Sequence, residues 1–381
     1  MLAAFFPPAA IDRILDETDR LEQRSRLLPS RLVVYYVLAM AVYAREGYRE
    51  LYRLLVEGLR SVDPSFSVVV PQKSAFSKAR QRVGSLPLRR LLEETAVPMA
   101  LASTPGAWYR EWRLMSVDGS TLEVPDTPEN DEYFGRPGVS RGGQSAYPRL
   151  RWVALGEAGT RAVVGLEAGS YRDSEKSLAR PLLRRLIPGM LCLCDRNFYG
   201  FDLWEEARHG GADLLWRIKK NAVFAPEQTL PDGSYLSRAF PSDRRRRKGH
   251  PGVPVRLIDY QLNDAGRPSV EPLYRLMTTI LDPHRAPARE LAALYTERWQ
   301  VEISIKEIKT YQGRPNVVLR SRKPDGVLQE LYGFAAVHYA IRWLLHQASV
   351  EQDLDPDRLS FTSALRAMRR KLSRPESFSP Q

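Results

Sequence analysis

Cysteine is nearly absent. Cys192 and Cys194 are the only two in 381 residues, and they alternate along the apolar stretch GMLCLCDRNFYG. Nothing else stands at zinc-site spacing beside them, and the five histidines are scattered, so a structural zinc site is excluded. The pair reads as buried thiols of a protein kept in a reducing cytoplasm. Long apolar runs are also missing: none approaches the ~18 residues of a membrane span. The run Leu32–Tyr43 is short and followed by charge, which predicts a buried helix. The opening MLAAFFPPAAIDRILDE has no basic n-region and turns acidic at once, so no secretory signal is expected. Acids fall short of bases, 45 against 57, for a net charge of +12. That excess favours a polyanionic partner, and without a membrane anchor nucleic acid leads. Composition is otherwise that of a soluble globular chain long enough for two or three domains.

The first hundred residues carry helical apolar spacing over Ala9–Arg26, Arg31–Glu46 and Tyr48–Leu59, broken near Pro29 and Gly47. A shorter helix follows from about Lys73 to Val83. Its Phe76, Ala79 and Val83 share a face, while Lys73, Ser77, Lys78, Gln81 and Arg82 cover the rest. This fits a DNA-reading helix, and equally a plain surface helix. Leu101–Gly106 reads as a linker. The period then changes. EWRLMSVDGSTLEV reads as an apolar strand ending in Asp118-Gly119-Ser120, and a polar span runs from Pro125 to Arg149. LRWVALGEAGTRAVVGLEAG reads as a hairpin, SEKSLARPLLRRLI as a helix, and GMLCLCDRNFYG as a strand ending in Asp195. A second β-rich segment, about Gly211 to Pro283, contains the basic run Arg244–Lys248, which reads as a mobile loop and fits a phosphate-binding element and a plain solvated loop equally. Helices close the chain, followed by a polar tail.

The stretch YTERWQVEISIKEIKTYQG, Tyr295 to Gly313, is the densest in charge. On a helical wheel Leu291, Leu294, Val301, Ile305 and Ile308 form an apolar stripe. Arg298, Glu302 and Lys309 fall within about 60° of Tyr295, with Lys306 close by, whereas Glu297 and Glu307 are expected to face solvent. Asp118 and Asp195 at strand ends and Glu302 on a later helix would form an acidic triad if the fold gathers them. Three crowded carboxylates repel and raise one another's pKa, and a divalent metal relieves this. Two ions about 4 Å apart serve phosphodiester chemistry.

Tyr295, Arg298, Glu302 and Lys309 match the Y-(2)-R-(3)-E-(6)-K signature, and the chain resembles insertion-sequence transposases of the IS-four type. SVDGST and CDRNFYG look like that family's two aspartate motifs, although Asn197 stands where the family often has glycine. The resemblance runs nearly the whole chain. It implies an α/β fold: a ribonuclease-H-like catalytic core interrupted by a β-rich insertion, with an all-α N-terminal DNA-binding domain and a helical C-terminal region. The implied division is 1–105 for the helical N-terminal domain, 106–210 for the first part of the core, and 211–285 for the insertion. The signature region would follow at 286–345, and a helical tail at 346–381. Asp118, Asp195 and Glu302 would be the metal-binding catalytic triad with two Mg²⁺ (or Mn²⁺) ions. Tyr295, Arg298 and Lys309 would contact DNA phosphate, and Lys73, Lys78 and Arg82 would bind DNA from the N-terminal domain. The implied activity is cut-and-paste transposition on double-stranded DNA, at terminal inverted repeats and target, by a homodimer at the nucleoid of a bacterial cytoplasm. Related enzymes pass through a hairpin and stack a flipped base on an insertion-domain tryptophan; Trp216, near that segment's start, is a doubtful counterpart. Two other readings compete: a DNA-binding relative that does not cut, and another ribonuclease-H-like nuclease.

Overall fold

The computed structural model describes residues 2–24, 26–60, 69–138, 143, 145–219, 222–242, 244–245, 249–261, 273–313 and 319–372. Of the basic run expected to form a loop, residues 246–248 lie outside that set, as does the polar tail from 373 onward. The N-terminal region consists of α1 (Leu2–Phe5), α2 (Pro8–Glu17), α3 (Ser30–Val42), α4 (Tyr48–Arg60), α5 (Lys73–Val83) and α6 (Leu86–Thr95). Helix α5 has its expected bounds. Helix α2 ends well before Arg26: the Thr18 hydroxyl turns back to the Ile14 carbonyl at 2.6 Å. Asp19 then takes a φ of 54°, a left-handed turn that aspartate tolerates.

The strands are β1 (Trp108–Tyr109), β2 (Trp112–Glu123), β3 (Arg149–Glu157), β4 (Val163–Ser170), β5 (Met190–Cys194), β6 (Asp213–Ile218), β7 (Gln228–Thr229), β8 (Tyr235–Ala239), β9 (Val253–Tyr260) and β10 (Tyr274–Thr278). Among the described residues they make one ten-stranded sheet in the order β4-β3-β2-β5-β6-β10-β9-β8-β7, with β1 paired to β2. Strands β2, β3 and β4 are antiparallel neighbours, whereas β5 and β6 run parallel to β2. The β-rich segment after 211 therefore extends this sheet: β6 lies beside β5, and β10 pairs antiparallel with β6. Within the polar span expected to be irregular, α7 (Pro128–Phe134) forms, opened by the Thr127 hydroxyl accepting from the Asn130 N–H.

Strand alternation splits the core. Cys192, Cys194, Leu214 and Trp216 project to one face. There α8 (Glu175–Leu183) packs on β3 and β4, and α9 (Phe201–His209) on β6. Leu114, Leu191, Leu193 and Leu215 project to the other, toward α10 (Ala288–Leu294) and Tyr295. Both cysteines are buried and unbridged. Trp216 is fully buried, its ring edge-on to Trp204 at 5.2 Å. It is a core residue and offers no face to a base.

The charged stretch is not one uniform helix. It starts as a 3-10 turn (Tyr295–Arg298), continues as α11 (Trp299–Lys306) and widens into a π-helical turn (Glu307–Gly313). Helix α11 crosses β2 and β3 on the Leu114 face. The crossing falls at a register shift between Leu155 and Gly156. A methyl group at Gly156 would stand 3.1 Å from Val301 Cγ2, so glycine permits the close approach. The long helix α12 (Pro324–Glu351) then packs on α3, α6 and β4, and α13 (Phe361–Leu372) packs on α12. Among the described residues no helix is long and apolar enough to cross a membrane.

Candidate active site

The sheet register brings the two aspartates together. Val117 pairs with Cys194 across the parallel β2–β5 ladder, so Asp118 and Asp195 stand next to each other where β5 ends. Neighbouring strands are ~4.8 Å apart, and residues in register project to the same face. That face is the one α11 covers, and Asp118 lies close enough to Glu302 and Arg298 to feel both charges. The Asp118 carboxyl is pushed up to about 6: burial is the main cause, the Gly119 N–H opposes it, and Glu302 adds to it. Its one side-chain hydrogen bond among the described residues is from that N–H, at 2.9 Å.

Glu302 is held by Arg298, Nη1 to Oε1 at 2.7 Å. Arg298 is 8% exposed, and its Nε has no partner among the described residues. The Tyr295 hydroxyl donates to the Cys194 carbonyl at 3.2 Å, and burial pushes its pKa up, so it stays protonated. Tyr295 thus braces the strand that delivers Asp195. Lys309 reaches Ser120, two residues beyond Asp118, with Nζ to Oγ at 2.9 Å. Burial, then the charge of Arg149, lowers its pKa.

Asp118 does not end its strand as expected: β2 continues to Glu123, held by its pairing with β3, and only Asp195 follows a strand end. The three carboxylates suit a hard divalent cation in kind, being oxygen donors within one strand, just past the end of its neighbour and on a facing helix, one of them raised by burial. They are not closed around a point. Among the described residues no group of three or more His, Cys, Asp or Glu side chains lies close enough to hold a metal ion. Glu302 instead faces Arg298.

Glu307 overturns a sequence expectation. It is 3% exposed rather than solvent-facing, and it accepts from His338 Nε2 at 3.0 Å and Arg342 Nε at 2.9 Å. Arg342 Nη2 also donates to its second oxygen. A wheel of constant pitch misplaces this residue because the backbone winds faster in the 3-10 turn and slower in the π-turn. Glu297 is likewise half-buried, accepting from Gln300 at 2.8 Å. A buried histidine and arginine one turn apart in an apolar helix call for an acidic partner, but their spacing does not say which.

Lys73, Lys78 and Arg82 lie apart from this cluster, on α5, which packs on α3, α4 and α12. Lys73 and Lys78 are exposed, and Arg82 donates to the Leu28 carbonyl at 2.5 Å. Lys73 lines a groove of about 1220 Å³ between α4, α5 and the segment entering α12. Arg49 and Arg53 stand on its N-terminal wall, with Arg320, Arg322 and Lys323 opposite. Arg49, Lys73, Arg322 and Lys323 are exposed and take no side-chain partner among the described residues. The second wall is tied to the end of β2: Leu319 N–H donates to the Glu123 carbonyl, and the Thr127 hydroxyl to the Arg322 carbonyl at 2.9 Å. Scattered over the sequence, these bases gave no pattern to find.

Residues 112–339 match the family model described as Transposase DDE domain, and residues 1–93 match Insertion element 4 transposase N-terminal. Transposase InsG for insertion sequence element IS4, from Escherichia coli (strain K12), is 29% identical over 382 residues, covering 100% of this chain and 84% of that protein. Putative transposase InsZ of the same strain is 29% identical over 218 residues, 57% of this chain and 70% of that protein. A solved piggyBac transposase synaptic complex with hairpin DNA aligns at TM-score 0.49 and 13% identity, covering 100% of this chain and 81% of that one.

Proposed function

This chain belongs to the DDE transposases of the IS4 type, enzymes that cut DNA and transfer strands, and we propose that Asp118, Asp195 and Glu302 are its catalytic carboxylates. The observation that carries the assignment is the pairing of Val117 with Cys194, which sets both aspartates side by side under the helix that holds Glu302. The order of β4 to β6 is that of a ribonuclease-H-like core, which supports the same reading.

The three carboxylates would hold divalent metal, Mg²⁺ or Mn²⁺. When bound, such ions supply an activated water and a counter-charge for the leaving oxygen. Glu302 would exchange Arg298 for the cation, leaving the guanidinium to pair with a phosphate oxygen, for which its planar fork is well shaped. Lys309, two residues along β2 from Asp118 through its bond to Ser120, would neutralise the same phosphate. Tyr295 would add a hydroxyl donor on giving up its bond to Cys194. The reaction is cleavage at the element's ends by water to free a 3′-OH, which attacks a phosphodiester of target DNA and joins to it. On a hairpin route, as in related transposases, the 3′-OH first attacks the opposite strand, and water then reopens the hairpin to regenerate it.

The groove between α4, α5 and Arg322–Lys323 would take the phosphate backbone of the terminal inverted repeat, with Lys73 on one wall and Lys78 and Arg82 beyond it. Pairing of two ends implies a homodimer on DNA, working at the nucleoid of a bacterial cytoplasm. The test is excision from a plasmid carrying the gene with its native flanking DNA, beside a Glu302→Gln control. Excision by the wild type alone is expected, with binding to the flanks kept by the variant. Excision by both would remove Glu302 from the chemistry. Binding without excision by either would make the chain a DNA-binding relative.

A further inference from the structure

The buried charges around Glu307 are more than packing requires. Glu307, His338 and Arg342 are 3%, 0% and 1% exposed, and Phe361 of α13 closes over them, 5.3 Å from the His338 ring and 5.5 Å from the Arg342 guanidinium. His338 Nδ1 and Arg342 Nη1 have no partner among the described residues, so desolvation is only partly offset. An apolar trio of similar volume commonly packs as well as, or better than, a buried ionic set. What an ionic set adds is direction. The guanidinium fork of Arg342 takes both oxygens of Glu307, and His338 takes one of them, which fixes the carboxylate in a plane.

That carboxylate belongs to the first residue of the π-turn. A π-turn is a rare, locally unfavourable winding found often at functional sites, and it needs outside contacts to persist. Its rotation sets where Lys309 leaves the helix, two residues on, and Lys309 is the residue that reaches Ser120 beside Asp118. We propose that Glu307, clamped by Arg342 and His338, is a positioning residue that fixes the π-turn and so aims Lys309 at the phosphate beside Asp118. The proposal deepens the transposase reading and rests on it only for the role of the phosphate; the placement of Lys309 is testable without DNA.

The decisive variant replaces the whole set, Glu307→Met, His338→Leu and Arg342→Met, so that no buried charge is stranded. Lysine acetylation of the free protein, read by mass spectrometry, reports Lys309 against exposed Lys78. We expect the triple variant to stay folded, with Lys309 labelled several-fold faster relative to Lys78 than in the wild type. End cleavage on bound DNA should slow by on the order of 100-fold, the cost of misplacing a group by about 1 Å. Adding Lys309→Ala to the triple variant should cost little more, because the two act through one path. Wild-type protection of Lys309 in a folded triple variant would overturn the proposal, as would full additivity with Lys309→Ala. Should the triple variant not fold, Glu307→Gln labelled under native conditions decides in the same way: unchanged Lys309 reactivity beside a lowered melting temperature would leave Glu307 merely structural. Should the wild type cut no DNA, the transposase reading fails while the labelling still judges the placement.

Discussion

At the scale of single residues, Asp118 carries the sharpest consequence. Its carboxyl titrates near 6 because it is buried, and again because Glu302 stands close. An unfolded aspartate titrates at ~3.9. A carboxyl raised in the folded state contributes stability that is present below the unfolded value and is lost as pH rises through the folded one. Between about pH 4 and pH 6 the metal-free protein therefore loses roughly 2 kcal/mol at this site. Asp118→Asn removes the ionisation. The metal-free variant should unfold at higher denaturant than the wild type at pH 7.5, by about 2 kcal/mol, with the gain gone near pH 4. Mg²⁺ should stabilise the wild type and do little for the variant, since a ligand that binds only the folded state adds RT ln(1 + L/Kd) at free concentration L, which vanishes as affinity is lost. A variant no more stable than wild type at pH 7.5 would mean that burial does not govern Asp118. The candidacy of Asp118 and Glu302 was legible in the sequence, from the apolar strand leading into Asp118 and the fixed signature spacing at Glu302, although β2 runs on past Asp118 to Glu123. The neighbours that tune and brace them, Ser120 for Lys309 and Cys194 for Tyr295, were not, because each contact joins elements more than 100 residues apart.

At the scale of elements, period was a good guide wherever it stayed constant. Helix α5, the hairpin β3–β4 and strand β5, which ends just before Asp195, form where alternation or helical spacing predicts them, whereas β2 continues past Asp118 to Glu123. The signature stretch departs from prediction because its winding changes twice within nineteen residues, and that change buries Glu307. The groove was invisible for another reason: its walls come from α4, α5 and the entry to α12, separated by some 250 residues of sequence. Its use is measurable through salt. Each phosphate contact releases counterions, so log K falls with log salt by ~0.9 per contact on duplex DNA. For a 30-base-pair duplex, Arg322→Ala with Lys323→Ala should flatten the slope by about 2 if both meet phosphate. Leu86 is exposed on the neighbouring helix α6 and does not line the groove, and Leu86→Ala serves as control. An unchanged slope in the double variant would place the duplex elsewhere.

At the scale of the whole molecule, one apolar cluster runs from Leu2 through the sheet to Met368. Helix α12 is its axis: α3 and α6 pack on one part of it, β4 and the π-turn on others. Buried polar ties cross the same boundary. Arg80 of α5 pairs with Glu330 of α12 at 3.1 Å, both nearly inaccessible, and Tyr339 donates to the Val97 carbonyl at 2.9 Å. Separating the N-terminal helices from the rest would strip an apolar face from α12 and break the Arg80–Glu330 pair, whereas removing Arg80 alone strands a buried carboxylate at ~3–5 kcal/mol. The N-terminal helices should therefore unfold with the sheet, in one transition. The tryptophans make this easy to read, since all seven lie at or beyond Trp108. Fluorescence follows chiefly the later part of the chain, with Trp343 also packed on Phe5 of α1, while far-ultraviolet circular dichroism follows the first hundred residues as well. Coincident denaturation curves are expected, and Arg80→Ala should move both together to lower denaturant. A dichroism change ahead of the fluorescence change would mean that the N-terminal helices open independently. The two walls of the groove could then part, and DNA held between them would be gripped by a hinge rather than by a rigid cleft.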